Sequence, residues 1–404
     1  MKWLVIIILA GALGMLFVQY LSVHPLQMSF YLIATCFIIV VLIWVLKIGF
    51  KRTSLFVATL LSLGVFIAGD LLMIKIILAR EDPRPVPILT REPGDPGLGH
   101  TAIIYFTHGE PETYYPLGWI NQFNEFDEQG IDFVPMIARP FFFNTLRNKY
   151  LEVGKSNHRS VHFQMLEKLE EAFRAQGDAT TKFYISFLDD NPRPDTAAIQ
   201  ALNEGASRII VSEVFLTISN HTAEGEDQIK KLNIEETFGI PVEFTGPLYD
   251  SQTLMSMFVL RANANIGDTD KSKVGILLVG HGQPDEWDVE WPTETEQELG
   301  FRYGVLDLLA ADGYQPDNLS LAWMDFKYPK PEEKVEDFLQ NGIEKLLFYS
   351  AAISADSIHS QYDIPKLVYK AEYPEGFPVI NLGAWNDDPV VIQAIKEKID
   401  ALMH

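Results

Sequence analysis

Residues 274–286 read V-G-I-L-L-V-G-H-G-Q-P-D-E: an apolar run, then glycine, histidine, a second glycine, proline and two acids. The run is short, apolar and bounded by turn residues, the pattern of a strand buried in a sheet. Residues 100–112, H-T-A-I-I-Y-F-T-H-G-E-P-E, repeat the phrase, and the two histidines, His108 and His281, stand 173 positions apart. A second phrase is also written twice. Residues 204–221, E-G-A-S-R-I-I-V-S-E-V-F-L-T-I-S-N-H, parallel residues 341–359, N-G-I-E-K-L-L-F-Y-S-A-A-I-S-A-D-S-I-H; both run glycine, strand, loop, histidine. Two phrases repeated in the same order predict a duplicated βα domain of about 150 residues per half.

Outward from these phrases the chain alternates in period. Buried strands are predicted at Ala102–Phe106, Lys182–Phe187, Arg208–Val214, Val274–Val279, Leu319–Trp323 and Lys345–Tyr349. Amphipathic helical patterns fall between them, at Ser160–Gln176, Asp195–Asn203, Glu294–Ala311 and Pro331–Gln340. Strands alternating with helices make βαβ units, so the fold class is α/β with mostly parallel sheets. Ligands of such folds bind beyond the carboxyl ends of the strands, and His108 and His281 each stand just past such an end.

Before this region lie three apolar runs, Trp3–Val23, Leu26–Ile48 and Ser54 to about Met73. Each approaches the roughly 20 residues needed to cross a bilayer as a helix. The first follows a lone Lys2, like a signal peptide, but lacks a small-x-small cleavage site and reads as a retained helix. Lys47, Lys51 and Arg52 mark the loop between the second and third runs as cytoplasmic, which places the chain beyond the third run outside. Residues 81–99, E-D-P-R-P-V-P-I-L-T-R-E-P-G-D-P-G-L-G, carry five prolines and three glycines and are expected to form an extended, stiff spacer. The expected organisation is a membrane segment over 1–80, a linker over 81–99, an N-terminal half over 100–265 and a C-terminal half over 266–404.

Charge separates these parts. Residues 1–80 hold six basic residues and one acid, which leaves 26 basic and 53 acidic residues in the rest. A field of that sign repels nucleic acid and attracts cations. The single cysteine, Cys36, lies in an apolar run, so neither an intrachain disulfide nor a thiolate zinc site is available. Nucleophile schemes lack their partners: there is no G-x-S-x-G and no cysteine after residue 36. No P-loop or strand-associated G-x-G-x-x-G is present, so no organic nucleotide cofactor is expected. A phosphohistidine site needs arginine to clamp phosphate, and both H-G-x-P phrases are followed by acids instead.

The histidines that remain are candidate metal ligands. His281 and His359 lead, because they occupy corresponding places in repeated phrases; His108 and His221 are their counterparts in the first half. Glu286 is a further candidate ligand, and Asp285, Glu286 and Asp288 form an acidic loop that could feed hydrated metal. His158 and His162 have one-turn spacing at a helix start and read as a solvated face. Trp287, Trp291 and Trp323 are candidates for stacking on a flat ligand or for core packing.

Strand then H-G-Q-P, the phrase A-D-S-I-H-S-Q-Y-D-I-P (355–365) and A-W-N-D-D-P-V-V-I-Q-A-I (384–395) together resemble the class II tetrapyrrole chelatases. That family includes ferrochelatase and the sirohydrochlorin cobalt and iron chelatases. The resemblance runs from Thr101 nearly to the C-terminus, and L-R-N-K-Y-L-E-V-G (146–154) is similar to the stretch before the porphyrin loop of ferrochelatase. It implies two Rossmann-like, chelatase-type halves, and insertion of Fe2+, Co2+ or Ni2+, as substrate, into a tetrapyrrole. His281 matches the catalytic histidine of the ferrochelatase H-S-L-P phrase. His359 falls where ferrochelatase carries glutamate, and a histidine followed by D-I-P is more like the sirohydrochlorin chelatases. After Gly154 the chain reads K-S-N-H-R-S-V rather than a glycine-serine-proline loop, which turns the expectation away from protoporphyrin and from iron with it. The resemblance assigns His281 to proton abstraction and metal contact, with His359 opposite. The alternative reading is a non-catalytic, membrane-anchored protein that binds metal or tetrapyrrole.

Overall fold

The computed structural model describes residues 1–80, 85–128, 130 and 134–403. Residues 81–84, the start of the expected linker, lie outside the described residues. The chain forms two compact units. One comprises the described residues of Met1–Arg84 together with Thr113–Lys155; the other comprises Pro85–Glu112 and Ser156–His404.

The first unit contains three long helices, α1 (Lys2–Ser22), α2 (Pro25–Gly49) and α3 (Arg52–Leu78), all long and apolar enough to cross a membrane. Their sequences carry helix formers without internal proline, and most large side chains of α2 and α3 are exposed apolar groups. α1 and α3 approach closely because small residues face each other: a Cβ on Gly14 would lie 2.2 Å from the Phe66 carbonyl oxygen, and one on Gly69 2.3 Å from that of Gly11. Two further helices complete the unit, α4 (Pro116–Glu128) and α5 (Arg139–Val153). Residues 113–155, inside the stretch 100–265, thus pack with the apolar helices.

The second unit is α/β. Its first half runs β1 (His100–Thr107), α6 (His158–Ala175), β2 (Lys182–Phe187), α7 (Pro194–Asn203), β3 (Ala206–Glu213), α8 (Asn220–Lys230), α9 (Ile234–Phe238), β4 (Val242–Phe244) and α10 (Gln252–Asn265). Its second half runs β5 (Val274–Gly280), α11 (Trp287–Glu290), α12 (Pro292–Ala311), β6 (Leu319–Trp323), α13 (Pro331–Gln340), β7 (Lys345–Ser350), α14 (Ile364–Val368), β8 (Val379–Asn381) and α15 (Pro389–Met403). Each half forms a four-stranded parallel sheet, ordered β2-β1-β3-β4 and β6-β5-β7-β8. The order is the same, as duplication requires. β1 and β5 lie inside their sheets and are buried along most or all of their length, which is why they read as continuous apolar runs. The short strands β4 and β8 escape sequence reading: three residues are too few to show a period.

The halves exchange their last helices. Arg261 on α10 donates to the carbonyls of Leu382 (3.0 Å), Ala384 (2.6 Å) and Trp385 (2.7 Å), beyond β8 of the other half. In return, α15 packs on β3 and α6, where Lys168 donates to the Asp387 carbonyl at 2.8 Å. One apolar core therefore spans both sheets, through Tyr105, Leu169, Phe258, Phe301, Tyr349 and Trp385.

Residues 85–99 carry no helix, as their prolines dictate. They are nevertheless docked rather than a free spacer. Thr90 N donates to Asn203 Oδ1 at 2.8 Å, Leu98 N to the Gly205 carbonyl at 2.7 Å, and the buried Arg91 guanidinium to the carbonyls of Leu202 and Ala206.

Candidate active site

The first histidine of each half is fixed by the same backbone device. His108 and His281 follow the central strands β1 and β5, and their carbonyls accept from Asp189 N at 2.9 Å and Asp325 N at 3.1 Å, in the loops after β2 and β6. The next residue is glycine with positive φ, 109° at Gly109 and 83° at Gly282. Any side chain there would also collide: a Cβ would lie 2.9 Å from Phe187 Cβ in one half and 2.6 Å from the Asp325 carbonyl oxygen in the other. The glycine carbonyl then turns back to accept from imidazole Nδ1, at 3.0 Å for His108 and 2.6 Å for His281. A carbonyl cannot donate, so Nδ1 carries the hydrogen and Nε2 keeps its lone pair, the form that accepts a proton or binds metal. His108 Nδ1 also lies 3.3 Å from Asp189 Oδ2.

The second histidine follows the neighbouring strand and opens a helical turn. In S-N-H-T, Ser219 N donates to Thr222 Oγ1 at 3.0 Å; in S-I-H-S, Ser357 N donates to Ser360 Oγ at 2.9 Å. These local bonds set His221 at the start of α8 and His359 at the start of a π-helical turn, His359–Asp363. The outcome is two histidine pairs of near-equal geometry. His281 and His359 have ring centroids 5.1 Å apart at 73°, and His108 and His221 have theirs 4.9 Å apart at 73°. Each pair forms within one half.

The pairs differ in what surrounds them. His359 Nδ1 lies 2.9 Å from the Asp363 carboxylate, which orients the ring. Four residues after His221 the chain has Gly225 instead, where any side chain would meet the Phe106 ring. Burial, then repulsion from His359, pulls His281 down to about 4, so its ring is neutral at neutral pH. His221 is also held well below the usual imidazole range, by burial first and then by His108 and His281.

Behind these rings lie two acids that sequence reading did not single out, the half-buried Glu110 and the buried Glu298. Glu110, two residues after His108, accepts from Ile358 N at 3.0 Å and so ties the first half to the residue before His359. Burial raises its pKa, against the pull of Ser156, His359 and the Ile358 N–H. Its counterpart Gln283 instead braces its own loop, donating to Asp288 Oδ1 (2.7 Å) and the Trp291 carbonyl (2.9 Å). Behind His281, the buried Glu298 accepts from the His281 N–H and lies 3.2 Å from Arg302, which stacks on Trp323 at 3.9 Å.

His158 and His162 are not solvated: both are buried. His162 Nδ1 meets Tyr105 Oη at 2.8 Å, and its Nε2 lies 3.2 Å from both Thr107 Oγ1 and Ser354 Oγ, a bridge between the halves. Burial takes it down to about 3, so it is a neutral strut. The acidic loop is also not an open chain of carboxylates. Lys327 lies 3.2 Å from Asp285 and also pairs with Asp288. Glu286 is exposed at the head of α11, and among the described residues no group of three or more His, Cys, Asp or Glu is placed to share a metal. Trp323 is core; Trp287 and Trp291 are half-buried.

No protein-family model matches the sequence, and no curated protein matches it. Among solved structures the chain is similar to SirB from Bacillus subtilis with Fe3+, at 14% identity and a TM-score of 0.48, over 74% of this chain and 94% of that one. It is similar to the sirohydrochlorin chelatase SirB from Bacillus subtilis subspecies spizizenii in complex with cobalt, at 13% identity and a TM-score of 0.47, with the same coverage. A multi-domain Deinococcus radiodurans protein with structural similarity to chelatases shares 13% identity and a TM-score of 0.44, over 74% of this chain and 54% of that one.

Proposed function

We propose that this chain is a membrane-anchored chelatase that inserts a divalent metal, Fe2+ or Co2+, into a tetrapyrrole, with His281 and His359 as its working pair. The observation that carries the reading is the pairing itself: two imidazoles with ring centroids 5.1 Å apart, each with Nδ1 engaged and, among the described residues, no hydrogen-bond partner at Nε2. Insertion exchanges one divalent cation for two pyrrole N–H protons, so the site must take up protons while metal passes. His281, neutral at neutral pH, is suited to accept a proton or touch metal. His359 stands opposite as a second ligand or base, its ring oriented by Asp363. Imidazole is a good ligand for Fe2+, Co2+ and Ni2+ alike, so ligand type does not choose among them. Among the described residues no third His, Cys, Asp or Glu joins the two ring nitrogens, an arrangement that suits a cation in transit better than one held permanently.

The helices α1–α3 would span the bilayer three times. Lys2 donates to the Gly49 carbonyl at 3.3 Å, which gathers Lys2, Lys47, Lys51 and Arg52 at one end, the cytoplasmic end by charge. The second unit then lies outside, and a topology reporter at the C-terminus checks this.

The chemical test uses the full chain in detergent with sirohydrochlorin or protoporphyrin and Co2+, Fe2+ or Ni2+. A metal-dependent change in the macrocycle spectrum that disappears in His281→Ala supports the reading. A spectrum that never changes, or changes equally in that variant, overturns it.

A further inference from the structure

Within the first unit, the segment Thr113–Lys155 closes the ends of two apolar helices. The last carbonyls of a helix have no intrahelical partner, and in an apolar layer they must find one. At the end of α1, Arg147 donates to the Tyr20 carbonyl at 2.6 Å and the Val23 carbonyl at 3.1 Å, and Tyr114 Oη donates to Ser22 at 2.9 Å. At the end of α3, Asn124 donates to the Leu78 carbonyl at 3.3 Å. One segment therefore caps both helices, and their ends share one level.

The start of α5 reaches below that level. The Phe141 ring lies 6.2 Å from Phe17, which precedes the end of α1 by five residues, or about 7–8 Å of helix. Arg139, Pro140 and Phe143 line a small gap with Val18, Ser22, Ile74, Ile77 and Leu78. Phe141 is 53% exposed, Ile137 in the turn Met136–Ala138 that contacts α3 is 59% exposed, and α3 itself exposes Leu72 and Ile76. The charge there is closed off: Arg139 is buried, forms a bidentate pair with Asp127 and stacks on Phe123 at 4.7 Å.

We infer that residues 136–143 enter the headgroup–acyl boundary of the bilayer crossed by α1–α3, making Thr113–Lys155 a lipid-contacting platform. The occupant of its exposed apolar face is lipid, because that face continues the apolar surface of the spans at the same level. The inference rests on the reading that α1–α3 span a bilayer, and one experiment separates the two.

The natural Cys36, exposed midway along α2, takes a fluorophore directly. In a Cys36→Ser background, Ile137→Cys and Phe141→Cys carry the same probe, with Glu236→Cys, exposed on α9, as an aqueous control. The full chain is reconstituted into phosphatidylcholine vesicles with spin labels near the headgroup or near the acyl terminus. The expected result is strong loss of Cys36 emission with the deep label, strong loss at 137 and 141 with the shallow label, and none at 236. Emission at 137 and 141 that matches position 236 overturns the platform while leaving the spans intact. Blue-shifted emission at 137 and 141 that neither label quenches means that protein covers the face, and overturns it too. An unquenched Cys36 overturns the spans and the platform together. Both substituted residues are exposed, so either position alone keeps the test decisive.

Discussion

The two halves of the second unit share one backbone plan and differ in the side chains placed behind it. Both put a histidine after the central strand, turn its Nδ1 onto a glycine carbonyl, and seat a second histidine in a hydroxyl-capped turn. In the C-terminal half, Asp363 stands behind His359 and Glu298 holds the backbone of His281. In the N-terminal half, Gly225 replaces the first acid, and the buried His162 stands beside Thr107. Repetition preserved the frame, which packing dictates, while the acids beside the rings diverged. Near-equal geometry with different acids beside the rings, Asp363 at 2.9 Å from His359 and Asp189 at 3.3 Å from His108, is the reason to propose the C-terminal pair for the chemistry.

The sharpest way to break this comparison is to remove one ring from each half. His281→Ala is expected to lower the initial rate of metal insertion by at least ~100-fold, the usual scale for a positioned acid–base group, and His108→Ala by less. Equal losses would make the halves equivalent.

A buried carboxyl gives the next effect. Glu213 at the end of β3 occupies the place of Ser350 at the end of β7, since Val214 and Ala351 make the same hydrogen bond to the central strand. Burial first, and then Glu226, push Glu213 up to about 8. A carboxyl with a raised folded pKa binds its proton more tightly in the native state. Its stabilising contribution is therefore complete below the unfolded value near 4.5 and lost as pH rises through about 8. Glu213→Gln should stabilise the protein at pH 8 by on the order of 3 kcal/mol and leave it little changed at pH 5. Thermal unfolding of the full chain in detergent at both pH values measures this, and an equal shift at both would refute the buried-acid account.

Asp363→Asn tests the contrast at His359 directly. Partners behind a ligating histidine are commonly worth ~10–100-fold, and a loss of that size is expected in the insertion rate, with the fold intact by circular dichroism. The smallest effect belongs to Glu110. Glu110→Ala leaves the Ile358 N–H without its acceptor and should cost about 1 kcal/mol of stability, whereas Glu110→Gln keeps an acceptor and imitates Gln283. If the two variants unfold alike, the bond from Glu110 to the other half contributes nothing.

Much of the fold was legible because local rules are strong where strands are buried on both faces. The six longer strands and helices α6, α7, α12 and α13 fall within a few residues of where apolar periodicity puts them. The histidine pairs were legible through repetition: positions that recur in two phrases came together in space twice. The misreadings have a common origin. His158 and His162 look like an exposed pair from spacing alone, yet both are buried, His162 against Tyr105, Thr107 and, from the other half, Ser354, and no local pattern reveals it. Glu110 drew no role from the sequence, because its partner, Ile358, lies 248 residues away.

By itself the sequence determined which segments are apolar helix, which are buried strand, and which histidines stand at strand ends, since these depend on side-chain period and on neighbours in the chain. Only the tertiary structure decided how close the paired rings stand, which acids stand behind them, and that residues 113–155 pack with the apolar helices. Those outcomes depend on burial and on contacts between residues far apart in the chain, which no local pattern records.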